Sequence, residues 1–131
     1  MVLATWSDLA KSPGHVLLFQ ALEATIGPDS ARPEAFSLAD EAQLLELVSK
    51  AGFVSVTTTI ISLQTRYPSA QAFVEIVLKG SSKVTREELQ QIPADRTAAF
   101  IDEVTMRLRE YETSNALTLP METRVLVGNR R

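Results

Sequence analysis

The sequence predicts an α/β protein built on a small sheet of three strands with about five helices. Three observations carry this prediction. In the run Phe53 to Thr65, FVSVTTTIISLQT, most residues are β-branched, with side chains already stiff at χ1 and suited to a pleated surface. Short apolar segments, Val2 to Trp6 and Thr123 to Gly128, flank the chain and are the two segments able to pair with that run. Between them lie stretches with helical spacing and capping residues at their ends.

In chain order, Met1 to Trp6 reads as a strand entered at once, followed by a loop from Ser7 to Lys11. Ser12 as N-cap and Pro13 at the first helical position open a helix that should run to Ile26, where Gly27-Pro28 stops it. Pro28 to Ala35 is loop. Asp40 caps the next helix, with Gln43 at capping-box spacing. Leu44, Leu45, Leu47 and Val48 form its predicted buried stripe, and Gly52 supplies the left-handed residue that reverses the chain into the long strand. That strand would extend roughly 40 Å at the usual rise per residue, so a bulge is expected near Ile60-Ile61. Before that point Val54, Val56, Thr58 and Ile60 share one face and Phe53, Ser55, Thr57 and Thr59 the other.

Ser69 caps a third helix with Phe73, Ile76 and Val77 on one side and Gly80 at its end. Thr85 to Glu88 has capping-box spacing and opens a short helix to Gln91. Pro93 restarts the chain as a helix from Ala94 to Tyr111, with Phe100, Ile101, Val104, Met106, Leu108 and Tyr111 as core positions. Leu117 to Pro120 leads into a last strand, Glu122 to Gly128, whose Val125-Leu126-Val127 is apolar on both faces, as in a strand covered on both sides.

Composition narrows the function classes. The 131 residues suggest one domain, and 45% hydrophobic with 22% charged residues is the ordinary balance of a globular chain. A formal net charge of −3 argues against nucleic acid or an anionic membrane surface as partner. The absence of cysteine excludes thiol catalysis and thiolate metal sites, and one histidine makes a catalytic zinc site a poor reading. No apolar stretch is long enough for a membrane span, and a cytoplasmic protein is expected.

The ordered residues resemble the second half of a class I S-adenosylmethionine-dependent methyltransferase of the type 11/type 25 group, which acts on small molecules. The resemblance rests on Val2-Leu3-Ala4-Thr5-Trp6 followed by Ser12-Pro13-Gly14, and on Phe36, Leu38 and Asp40 before Leu44-Leu45 and Ala51-Gly52-Phe53. It continues through Arg66-Tyr67-Pro68-Ser69 to Val125-Leu126-Val127. It implies a partial Rossmann-like methyltransferase fold with a three-stranded mixed sheet, the last strand lying between the first and the long one and antiparallel to both. Residues 70–113 would be a helical insertion, or lid, within the single domain 1–131.

The resemblance implies S-adenosylmethionine as cofactor, yet the family's glycine-rich turn has no counterpart here. The five glycines, Gly14, Gly27, Gly52, Gly80 and Gly128, stand isolated, each at a turn or cap. The implied function is therefore the substrate-side part of a methyltransferase, lacking the cofactor-binding half. The alternative is a non-catalytic interaction or dimerisation module of the same fold. Either reading expects a homo-oligomer, or a complementary chain, pairing at the edge strand 2–6.

Candidate substrate-binding residues follow from the rule that ligands sit beyond the carboxyl ends of parallel strands. Trp6, Ser7 and Asp8 fall there, with Trp6 either a substrate wall or an aromatic anchoring the loop. His15 has an imidazole suited to hydrogen bonding or proton transfer. Arg66 either meets an anionic substrate or is a solvated strand end, and Tyr67 and Phe73 either line the acceptor pocket or belong to the core. Methyl transfer requires orientation above all, so no catalytic residue is assigned.

Overall fold

The β-branched run forms the longest strand, and its two partners come from opposite ends of the chain. The computed structural model describes residues 1–131. Its strands are β1 (Val2–Trp6), β2 (Phe53–Tyr67) and β3 (Leu117–Arg130), in the order β1-β3-β2. Both neighbouring pairs are antiparallel. The expectation of a mixed sheet is thus corrected: β1 and β2 run the same way, but β3 separates them and no parallel ladder forms.

Five α-helices complete the chain: α1 (Pro13–Ile26), α2 (Glu41–Lys50), α3 (Ala70–Lys79), α4 (Lys83–Gln91) and α5 (Ala94–Arg107). Several ends follow from local chemistry. The Asp40 carboxylate accepts from the Gln43 amide at 2.8 Å, and Gly52 takes φ 88° where the chain turns from α2 into β2. Ser69 Oγ accepts from the Ala72 amide at 3.1 Å and opens α3.

Other expectations are corrected. Ser12 precedes α1 as expected, but its hydroxyl makes no capping bond and is buried without a partner. Ser82, not Thr85, caps α4. Thr85 lies inside that helix, fully buried, and its hydroxyl donates to the Ser30 carbonyl, tying the helix to the loop after α1. The last helix ends at Arg107 and continues as a 3-10 turn, Arg109–Tyr111. Strand β3 starts at Leu117 rather than Glu122. Pro120 is compatible with a strand there because β1 reaches β3 only from Thr123 to Val127. The Ser7 amide donates to the Glu122 carbonyl on the β1 side, so by ladder alternation the Pro120 nitrogen faces the same, vacant side.

The bulge in β2 lies between Val54 and Thr57, where Ser55 has φ 52°, not at Ile60-Ile61. The extra residue changes which side chains share a face. Phe53 and Val56, predicted on opposite sides, both pack on the cluster under α2.

The core has two parts on opposite sides of the sheet. Leu117 and Leu119 face α1, α3 and α5, packing with Leu18, Leu22, Phe73, Val74, Phe100, Val104 and Leu108. Leu126, of opposite parity on β3, packs with Leu44 and Val48 of α2. Leu47, Ile76 and Met106, expected in the core, are exposed, as is Val127. The two helical layers cover different lengths of sheet, so Leu126 is buried while Val127, on the other face, is open. Helix α1 approaches closely enough that a Cβ on Gly14 would lie 2.5 Å from Leu119 Cδ1 and 3.2 Å from Phe73 Cζ.

Candidate functional site

Five aromatic rings from separate parts of the chain meet beyond the carboxyl end of β1. Trp6 ends that strand and stacks on Phe36, with ring centroids 6.4 Å apart. Phe36 closes the 3-10 turn Glu34–Phe36 and meets the edge of His15 at 5.3 Å. His15, in the first turn of α1, meets Phe73 of α3 at 5.2 Å, and Phe73 meets Tyr67, the last residue of β2, at 5.0 Å. All but the first contact are edge-to-face, the arrangement favoured by the ring quadrupole.

Two hollows flank the Glu34–Phe36 turn. One, of about 270 Å³, has His15, Phe19 and Val77 among its lining, with Arg32, Glu34 and the Gly80–Ser82 segment contributing polar groups. The other, about 610 Å³ and more open, lies along β1 and is lined by Thr5, Trp6, Ser37, Leu38 and Thr123. Glu34 and Ala35 border both.

Burial lowers the His15 pKa from 6.5 to about 4, so the imidazole is neutral at neutral pH. A neutral imidazole carries one donor and one acceptor nitrogen. With so low a pKa it is a poor proton acceptor, and it suits orienting a ligand N–H or O–H better than general-base work.

Of the residues singled out in the sequence, Trp6, His15, Tyr67 and Phe73 are brought together. Phe73 is fully buried and shapes the site from behind His15. Ser7 is buried, and its hydroxyl donates to Glu122 Oε1 at 2.8 Å, pinning the chain as it leaves β1. Asp8 is exposed and accepts from the Ala10 amide at 2.9 Å, capping the following 3-10 turn. Arg66 stands apart: it alternates with Tyr67 along β2 and faces the opposite side of the sheet. Phe36, Phe19, Arg32 and Glu34 went unassigned as site residues. Phe36 carried part of the family resemblance, but nothing local marked it as a site residue, since the rings it meets, Trp6 and His15, lie far away in sequence.

The glycines test whether S-adenosylmethionine fits this chain alone. An added Cβ at Gly14 would strike Leu119, and at Gly128 it would lie 3.2 Å from Val56 Cγ2, so both are glycine for packing. Gly27 and Gly52 have positive φ but follow helices rather than a strand, and Gly80 is a helix end. None forms the close backbone approach after a strand that the cofactor's methionine moiety requires. The residues present do not make that site. No group of three or more His, Cys, Asp or Glu side chains is placed to hold a metal ion, and no helix is long and apolar enough to cross a membrane. Comparison with known protein families and with curated proteins finds no match to this chain.

Proposed function

We propose that this chain is the substrate-side portion of a small-molecule methyltransferase, with the S-adenosylmethionine-binding portion supplied by a chain that pairs along the free edge of β1. The observation that supports this most is the sheet order: the last strand lies between the first and the long one and is antiparallel to both, the arrangement the sequence resemblance implies. The aromatic cluster at the carboxyl end of β1, with the larger hollow opening along that strand, adds support, because the fold implied by the resemblance binds ligands beyond the carboxyl ends of its strands.

On this reading His15 orients the acceptor through a hydrogen bond, and Phe19, Val77 and the Phe36 turn hold its apolar body and exclude water. Methyl transfer needs the acceptor aligned more than it needs an acid or base, which suits a neutral imidazole. A cytoplasmic location goes with this reading. A non-catalytic interaction module is the second reading, favoured by the unpaired outer edge of β2, which carries no charge from Phe53 to Thr65.

Calorimetric titration of the folded chain with S-adenosylmethionine tests the division of labour. The expected result is no saturable binding. Saturable binding at micromolar strength would overturn the proposal that the cofactor portion lies elsewhere.

A further inference from the structure

We propose that the protein self-associates through the free edge of β2, two copies pairing their long strands antiparallel about a two-fold axis at Ser62. The result is one continuous sheet with three strands from each copy. This holds whether or not the methyltransferase reading does.

The geometry starts from the ladder. The Ser7 amide donates to the Glu122 carbonyl and the Gly128 amide to the Met1 carbonyl, so even-numbered residues of β3 direct their backbone groups toward β1. Odd-numbered ones face β2, where Thr123 opposes Ile61 and Leu119 opposes Thr65. The backbone groups of Thr58, Ile60, Ser62, Gln64 and Arg66 therefore point outward from the sheet. Beyond the bulge this edge is regular from Thr57 to Tyr67.

Edge strands are ordinarily protected by shortness, lysine, proline or a covering element. From Phe53 to Thr65 there is no charge, proline or glycine, and every residue from Thr59 to Gln64 is exposed. Ile60, Ile61 and Leu63 are 45%, 41% and 44% exposed, with Ile60 on one face and the other two on the opposite face.

Charge selects a second copy and its register. Arg66 is the one cation on the strand and forms no ion pair within its own chain. Glu41, in the first turn of α2, accepts from the Thr58 hydroxyl and likewise forms no ion pair. Antiparallel pairing centred on Ser62 puts Arg66 opposite Thr58 of the second copy, and so beside that copy's Glu41. Two-fold symmetry makes the contact twice. All other opposed residues between Thr58 and Arg66 are neutral, so a chain of net charge −3 meets itself here without like-charge repulsion.

The chain has no cysteine, so Ser62→Cys introduces a single thiol. Directly opposed hydrogen-bonded residues lie about 5.5 Å apart at Cα, within disulfide reach. Light scattering should give the dimer mass for the wild type, and mild oxidation should link Ser62→Cys to itself but leave Val2→Cys, at the β1 edge, unlinked. Arg66→Glu, an exposed change checked for folding by circular dichroism, should weaken the dimer about tenfold or more, and Glu41→Arg added to it should restore association. A wild-type monomer at high micromolar concentration would overturn the proposal. So would cross-linking through Val2→Cys in preference to Ser62→Cys, or failure of the double exchange to recover what Arg66→Glu loses.

Discussion

Alanine at Phe73 is expected to lower the free energy of unfolding by about 3–5 kcal/mol, the range for removing a buried aromatic ring. Phe73 is fully buried where α3 meets α1 and the end of β2, in contact with the His15 and Tyr67 rings. The Gly14 backbone lies against the same ring. Its neighbours belong to separate elements, so no single side chain can move in to fill the space. Denaturant unfolding of Phe73→Ala should show a lower midpoint with an unchanged slope, while Ile76→Ala, at an exposed position of the same helix, should lose about 1 kcal/mol or less. Equal losses at the two positions would mean that α3 packs by another face.

The second large effect is on pH dependence. The folded-state pKa of His15 is about 4 and its unshifted value 6.5, so between those values the unfolded chain binds a proton that the folded chain refuses. Stability from this group is complete above the unfolded value and is lost as pH falls toward the folded one. The difference amounts to about 3 kcal/mol between neutral pH and about pH 4. Guanidinium unfolding of the wild type and of His15→Gln across that range separates this from the carboxylates, which both proteins share. The wild type should lose the additional stability, and parallel curves for the two proteins would show that His15 is solvated. Phe73→Ala opens the ring's surroundings and should raise the His15 pKa, so the two effects are linked.

What the sequence made legible was chemistry that acts over one turn. Asp40 before α2, Gly52 after it and Ser69 before α3 were readable because each cap bonds an amide two or three residues away, or adopts a backbone angle of its own. The start of α4 was misplaced because Ser82 and Thr85 have the same capping groups, and only the Ser30 carbonyl, far along the chain, determines which hydroxyl turns inward. The length of β3 was hidden by Pro120, whose tolerance depends on where β1 stops. The bulge at Ser55 responds to the need to put both Phe53 and Val56 against α2, a demand of tertiary packing.

The site was legible in parts. Trp6, His15 and Tyr67 stood out as polar-tipped rings, but Phe36, which joins Trp6 to His15, did not. Arg66 was grouped with Tyr67 by adjacency, although alternation along a strand sends the two to opposite faces. The exposed edge expected at residues 2–6 has a longer counterpart in β2, which the strand order implied by the resemblance already put at the opposite edge of the sheet.

The central claim is that β1 and the aromatic site complete a cofactor-binding portion. Its most direct test joins such a portion, taken from a class I small-molecule methyltransferase and ending in the strand that precedes β1, ahead of Met1. Calorimetry with S-adenosylmethionine and hydrogen exchange at Val2 to Trp6 are then measured on the same folded protein. The account predicts binding tighter than that of the joined portion alone, with the β1 amides newly protected. A folded fusion in which affinity is unchanged and those amides exchange as in the isolated chain would contradict it.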